Sequence, residues 1–505
     1  MWDRFLAGVE AVNSAVNGVV WGWPVIILIL GTGLWLSIRT GFLQIRRFGD
    51  SWRSTIIPTV RSIGKKSEDR TARSVSQFEA FSAAISGTVG TGNIVGVTSA
   101  ILTGGPGAVF WMWVSAFFGM VTNYAENVLG LYYRKKDKAG NFSGGAFYYI
   151  SYGLKWKWLG YVAAVFAMLA AVGMSGVQTS KISGVLSLSL VPVFGEGSAF
   201  GLQLAVGVIV AALVAVIIIG GIKRIGRVAS MIVPFMSLLF ILMAIFAIIR
   251  NAVSVPAAFG LIFEKAFSFR AAGAGIMGYA FAVVIKKGMA RGVFSNEAGL
   301  GSSVIAHSAS ETREPVRQGL WGVFEVFFDT FVICTLSALM MLTSLDLSAF
   351  SGKEDDVVTS LLIYSENFGV FGTVAISVIL PLFAFTTIIA WSYYGEKATE
   401  FCFQWLKGRG QKIAVVTFKV IFVLLIILAS IINGKLLWEI SDTFNGLMAV
   451  PNLIAVVLLS GTVVKITKNY YQRKKGDEAE PMLSAYPGQN AEFAEDIASG
   501  RENLR

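Results

Sequence analysis

Long apolar runs separated by short polar stretches set the pattern of this chain. Eleven runs are long enough to cross a bilayer as helices: roughly 21–38, 76–101, 106–132, 159–186, 201–220, 228–249, 271–306, 318–343, 358–393, 413–433 and 443–464. A stretch of about 20 apolar residues spans the hydrocarbon core, and a helix satisfies its own backbone polar groups there. Some runs exceed that length, so they must tilt, break or include interfacial helix. The pattern predicts an all-α integral membrane domain over residues 1–470. Residues 471–505 are expected to form a cytoplasmic polar tail, and 476–505, polar and aperiodic, read as flexible.

Composition supports this class. Of 505 residues, 55% are hydrophobic and only 14% charged, against roughly 25% charged in soluble domains. The two cysteines, Cys334 and Cys402, lie far apart and suggest neither a disulfide framework nor a metal site. Asp3, Arg4 and Glu10 open the chain without a cleavable-leader pattern. Basic residues cluster at 39–73, 134–138, 223–227, 407–412 and 473–475, on alternate loops, whereas 343–358 holds Asp346, Glu354, Asp355 and Asp356 against Lys353 alone. The positive-inside rule then places the N-terminus outside and the C-terminus in the cytoplasm of a cell (plasma or inner) membrane. The net charge of +11 reports topology. No basic run is interleaved with stacking aromatics, so no nucleic-acid partner is expected, and no obligate protein partner is inferred.

Glycines interrupt two of the spans. Residues 86–96 read SGTVGTGNIVG, and 295–302 read SNEAGLGS. Gly90 precedes Pro106 by 16 positions, and Gly299 precedes Pro315 by the same 16. With the first span set aside, the remaining ten divide into two sets of five, repeat one at about 76–249 and repeat two at about 271–464. An odd number of spans per set inverts one set relative to the other, and paired glycine-interrupted spans point to a transporter binding site. The dinucleotide fingerprint does not fit: Gly90, Gly92 and Gly96 are spaced G-x-G-x-x-x-G, and no βαβ pattern surrounds them.

A broken helix near the midplane frees amides and carbonyls, which is tolerable only where protein lines a cavity. Glycine allows the backbone angles and lets a ligand come close. The N-terminus of the second half-helix suits a carboxylate, and freed carbonyls and hydroxyls suit a hard cation such as sodium.

The run Gly104-Gly105-Pro106-Gly107-Ala108-Val109-Phe110-Trp111-Met112-Trp113, with SGTVGTGNIVG and FSNEAGLGS, resembles the alanine or glycine:cation symporters of bacteria and archaea. The likeness covers residues 1–470 or so. It implies a leucine-transporter-like fold, a 5+5 inverted repeat with one extra N-terminal helix, and sodium-coupled import of a small neutral amino acid by alternating access. Alanine and glycine are the family's default substrates, with glutamine as the alternative. Sodium is the implied coupling ion, with no other cofactor. Carried over to this chain, the resemblance gives the substrate the amides of Gly90, Thr91 and Gly92, with Asn93 beside them. Asn296, Gly299 and Gly301 come from the partner break, and Gln178 completes the pocket. Sodium is given the carbonyls of Ser86 and Val89 and the hydroxyls of Thr386 and Thr387. Those threonines can equally bond their own helix carbonyls with no ion present.

Other polar residues leave alternatives open. Lys286, Lys287 and Arg291 precede Asn296, and the charge rule favours an earlier break at Gly275–Gly278; the 16-residue spacing favours the later one, which is preferred. Glu126, Glu325 and Asp329 read equally as a cytoplasmic gate and as packing pairs. His307, the one histidine, reads as a packed side chain, and Trp111, Trp113, Tyr148, Tyr149 and Tyr152 as packing or interfacial aromatics. Proton coupling is disfavoured by the neutral ligands of the sodium site. No P-loop, HExxH pair or Ser–His couple suggests an ATP-driven pump or an enzyme, and a channel remains a weaker alternative.

Overall fold

The computed structural model describes residues 2–62, 75–136, 140–267, 274–346, 355–406, 408–432 and 434–499. Helices dominate; the only sheet among these residues pairs Lys135–Lys136 with Phe142–Ser143, antiparallel. Nine helices among the described residues are long and apolar enough to cross a membrane. Two interrupted helices accompany them, Gln77–Thr88 with Val95–Gly104 and Ala274–Asn296 with Ser303–His307.

The interrupted helices lie within the bundle. Ala274–Asn296 packs on Ala108–Tyr133, which also packs on Pro315–Val326, while Lys157–Phe194 lies along Val370–Cys402. Val370–Cys402, which carries Thr386 and Thr387, also contacts Gln77–Thr88, so the first broken helix and this long helix meet in the interior. Lipid-facing positions carry the apolar residues that remain exposed, such as Ile209, Leu213, Phe235, Leu242 and Leu424. An exposed apolar surface of this kind fits hydrocarbon surroundings.

Several boundaries differ from the hydropathy pattern. A helix at Trp2–Val20 precedes the first expected span, which itself becomes Trp23–Thr40 after a turn at Trp21–Gly22. The run 358–393 divides into Asp356–Phe368 and Val370–Cys402. Gly369 makes the division with φ 58° and ψ −142°, backbone angles open to glycine and costly for other residues. Both flanks are apolar, so hydropathy alone merges them.

The C-terminal segment also departs from expectation. The 470 boundary falls inside the helix Ser460–Lys475, and the stretch read as flexible contains the helix Pro487–Ala498. Pro487 suits the first helical turn because its missing N–H would be unpaired there anyway. Leu483 and Phe493 are fully buried and pack with Phe142. Two apolar anchors in a polar stretch give no periodic signal, yet they dock it.

Candidate functional site

The first interruption is built by local capping. Ser76 and Glu79 form a reciprocal cap: the Glu79 amide donates to Ser76 Oγ at 3.1 Å and the Ser76 amide to Glu79 Oε2 at 2.9 Å. The helix ends at Thr88. The Gly90 amide then donates to Asn93 Oδ1 at 2.9 Å, where a continuing helix would send it to the Ser86 carbonyl. The Thr91 amide donates to Gln178 Oε1 at 3.1 Å. A methyl at Gly90 would sit 2.5 Å from Thr387 Oγ1 and 3.3 Å from the Gln178 amide, so this close approach demands glycine. Phe294 lies across Gly92, 3.3 Å from where its Cβ would be.

Gly90, Thr91, Gly92, Gln178 and Thr387 are thus brought together. Thr91 and Gln178 are fully buried, and Thr91 Oγ1 and Gln178 Nε2 have no hydrogen-bond partner. Unpaired buried polar groups cost roughly 1–3 kcal/mol each, and two of them facing one break mark a place made for something polar.

The second interruption follows Asn296. The helix Ala274–Asn296 runs unbroken through Gly275–Gly278, so the earlier break is excluded. Glu297, Gly299 and Gly301 then take positive φ values of 55°, 91° and 72°. Asn296 caps the turn, accepting from the Ala298 amide and donating to Thr330 Oγ1, each at 3.1 Å. Gly299 donates to Glu126 Oε2 at 3.4 Å, and its carbonyl accepts from Asn452 Nδ2 at 2.8 Å. Glu126 and Tyr149 also bond Asn452. A Cβ on Gly301 would press on Ala146 at 2.6 Å. Asn296, Gly299 and Gly301 therefore face Thr330, Glu126, Asn452 and Ala146.

Asp329 joins the two interruptions. Its Oδ1 accepts from Asn93 Nδ2 at 2.6 Å, and its Oδ2 accepts from Ser295 Oγ at 2.8 Å and Thr330 Oγ1 at 2.9 Å. The residue lies in a π-helical stretch, Phe327–Cys334. Such widened turns change the direction in which side chains leave a helix and recur at functional sites. The sequence carried one signal for Asp329, an acid inside an apolar span; its partners were not legible.

The sodium residues divide. Ser86 Oγ donates to the Ala83 carbonyl at 2.8 Å, Thr386 Oγ1 to Phe383 O at 2.9 Å and Thr387 Oγ1 to Phe383 O at 3.0 Å. Each hydroxyl has spent its one proton, and its lone pairs stay available to a cation. Thr387 faces Gly90, whereas Thr386 lies 3.6 Å from the Met236 sulfur on the neighbouring helix. Ser86 and Val89 are buried at the end of Gln77–Thr88. All four residues are buried and offer neutral oxygens, the kind of donor sodium takes, and of the two threonines Thr387 is the one placed beside the first break.

The remaining acids are engaged too. Glu297 accepts from Trp391 Nε1 at 2.8 Å and Ser302 Oγ at 2.6 Å. His307 is buried and bonded on both ring nitrogens, to Glu325 at 2.8 Å and Gln318 at 2.6 Å. Lys287 and Arg291, ahead of the second break, line a cavity of about 850 Å³ that also holds Lys181, Asp355, Asp356, Glu439 and Asp442. Arg291 pairs with Asp442 at 3.3 Å, and Lys181 with Asp356 at 2.6 Å. Asp442 thus neutralises Arg291, the cation nearest the later break, and Lys286 stands over the Trp23 ring at 5.6 Å. Trp438, on the cavity wall, stacks on Phe294 at 4.9 Å and so separates the cavity from Gly92.

Comparison with known proteins places this geometry. The profile of the sodium:alanine symporter family matches residues 6–484. The sodium/alanine symporter AgcS of Methanococcus maripaludis is 40% identical over 478 residues, 93% of this chain and 98% of the relative. The probable sodium/glutamine symporter GlnT of Bacillus subtilis is 34% identical over 466 residues, 92% and 91% of the two chains. Among solved structures, MhsT in complex with L-phenylalanine aligns with a TM-score of 0.56 at 15% identity, covering 79% of this chain and 99% of its own. A Na+-coupled sialic acid symporter aligns at 0.50 and 12% identity over 96% of each chain. The fold is leucine-transporter-like, and with two interrupted helices facing each other across Asp329, the chain belongs to the sodium:alanine symporter family.

Proposed function

We propose that this protein imports a small neutral amino acid together with sodium, by alternating access. The observation that carries the reading is the buried pair of unpartnered atoms, Thr91 Oγ1 and Gln178 Nε2, beside the broken helix. Gln178 Oε1 accepts the Thr91 amide at 3.1 Å, standing where one carboxylate oxygen of an amino acid would stand. A substrate carboxylate takes over that amide, and Gln178 turns its Nε2 toward the same carboxylate. Gly92 adds an amide, and Asn93 keeps the break in shape through Gly90 and Asp329. Asn296, Gly299 and Gly301 shape the opposing break that completes the substrate site.

Phe294 against Gly92 and Thr387 against Gly90 leave little side-chain room, which favours alanine and glycine over glutamine. Sodium binds next to this pocket, through the Ser86 and Val89 carbonyls with the Thr387 and Thr386 hydroxyls, and its inward gradient drives accumulation. The nine long apolar helices among the described residues, taken with the two interrupted ones, support a reading of eleven crossings. Residues 76–249 and 271–464 act as the two inverted repeats, the N-terminus lies outside, and the C-terminal segment lies in the cytoplasm.

The test is uptake of labelled alanine, glycine and glutamine into proteoliposomes with and without a sodium gradient. Saturable uptake of alanine and glycine that collapses without sodium is expected. Equal uptake without sodium rejects coupling, and preference for glutamine rejects the small-pocket assignment.

A further inference from the structure

The C-terminal segment makes contacts that transport chemistry does not require. After Gly476 the chain folds back: the Met482 amide donates to Asn469 Oδ1 at 3.1 Å, and the Ala485 amide to the Tyr132 carbonyl at 2.9 Å. The helix Pro487–Ala498 then lies over the small sheet. Phe493 packs edge-on against Phe142 with centroids 5.8 Å apart, Asp496 pairs with Arg313 at 3.0 Å, and Glu492 pairs with Lys136 at 2.5 Å.

Beneath Phe493 lies Arg134, fully buried. Its guanidinium donates to the carbonyls of Ser308 at 3.1 Å, Ser310 at 2.6 Å and Thr312 at 2.5 Å. The rings of Phe142 and Phe493 cover it, with centroids 3.8 Å and 5.7 Å away. A buried cation holds its partners firmly only while water is kept out. Phe493 is part of what keeps water out.

The loop held by Arg134 follows directly on Ser303–His307, the second half of the second broken helix. The Glu311 amide in this loop donates to the Val75 carbonyl at 2.8 Å, and Ser76 caps the first broken helix. The loop therefore clips the ends of both broken helices together on the face that carries the C-terminus. Opening that face requires the clip to part.

We propose that residues 476–499 are a latch on this face: docked, they stabilise the clip and slow its opening, and their release raises transport turnover. The effect on turnover rests on the transport reading above; the mechanical coupling does not. A segment held by two buried apolar side chains and two ion pairs is the kind that opens locally without global unfolding.

The experiment uses the full chain with Phe493→Ala, Asp496→Arg, and Asp496→Arg combined with Arg313→Asp. Amide hydrogen exchange is followed over 308–314 and 487–498, with sodium-driven alanine uptake in proteoliposomes. Each single variant is expected to lose protection in both segments and to raise the maximal uptake rate several-fold; the charge swap is expected to restore both. Unchanged protection at 308–314 when 487–498 has lost its own overturns the latch, as does an unchanged or lower maximal rate in the released variants. Retained protection at 487–498 in both single variants also overturns it. Failure of the unmodified protein to take up alanine defeats the transport reading instead, and the exchange data still decide the coupling.

Discussion

At Gly90 the backbone lies too close to its neighbours to carry a side chain. A methyl there meets Thr387 Oγ1 at 2.5 Å, and over-filling a packed interior costs about 1–3 kcal/mol. Gly90→Ala is therefore expected to abolish uptake while the purified protein stays folded, read by transport beside thermal unfolding; normal uptake removes the close-approach argument. Gln178→Glu tests the carboxylate assignment. A second anion at the Thr91 amide repels the substrate, so the apparent KM for alanine should rise by about 10-fold or more, equivalent to about 1.4 kcal/mol. Gln178→Ala, which repels nothing, should harm binding less; the reverse order would place the carboxylate elsewhere. Gly90, Thr91, Gly92 and Gln178 were legible in the sequence because glycines and a lone amide stand out in apolar spans. Asn93 stood out for the same reason, but its role in capping Gly90 and reaching Asp329 depends on folded geometry.

At the scale of the element, Asp329 determines how the two interrupted helices are held. Three side chains from three segments donate to its carboxylate: Asn93, Ser295 and Thr330. Asp329→Asn keeps the shape and removes the charge, so it weakens those bonds, each worth roughly 1.5–3 kcal/mol when one partner is charged. The maximal uptake rate is expected to fall at least about 10-fold, with residual binding measurable by calorimetry. A wild-type rate would make the carboxylate a packing group only. Sequence periodicity had no access to this junction, because the π-helical widening at Phe327–Cys334 changes side-chain direction without changing hydropathy. Gly369 marks a similar limit, dividing one apolar run into two helices by its backbone angle alone. The break after Asn296 was legible, since equal spacing to a proline survived in both halves, whereas the acids that compensate Lys181 and Arg291 come from distant segments.

For the whole molecule, orientation is the property on which import depends, and it rests on the distribution of lysine and arginine. Val253 is 96% exposed on the connection after Gly221–Arg250, and Lys475 is exposed at the end of Ser460–Lys475. The basic residues Lys223, Arg224 and Arg227 stand at the opposite end of that first helix from Val253, so the charge rule places Val253 outside and Lys475 within the cytoplasm. The two cysteines do not obstruct a labelling test: Cys334 is buried beside Asn93 and Ser295 and is kept, and Cys402, half-buried, is replaced by serine. In that background, Val253→Cys is expected to react with a membrane-impermeant maleimide in intact cells, and Lys475→Cys only after permeabilisation. The opposite pattern would invert the protein, turn the cavity lined by Arg291 and Asp442 toward the cytoplasm, and make the latched face the outer one. Sodium entering down its gradient would then meet the helix ends clipped by Glu311 and Val75 first, so the direction of labelling decides which face the latch guards.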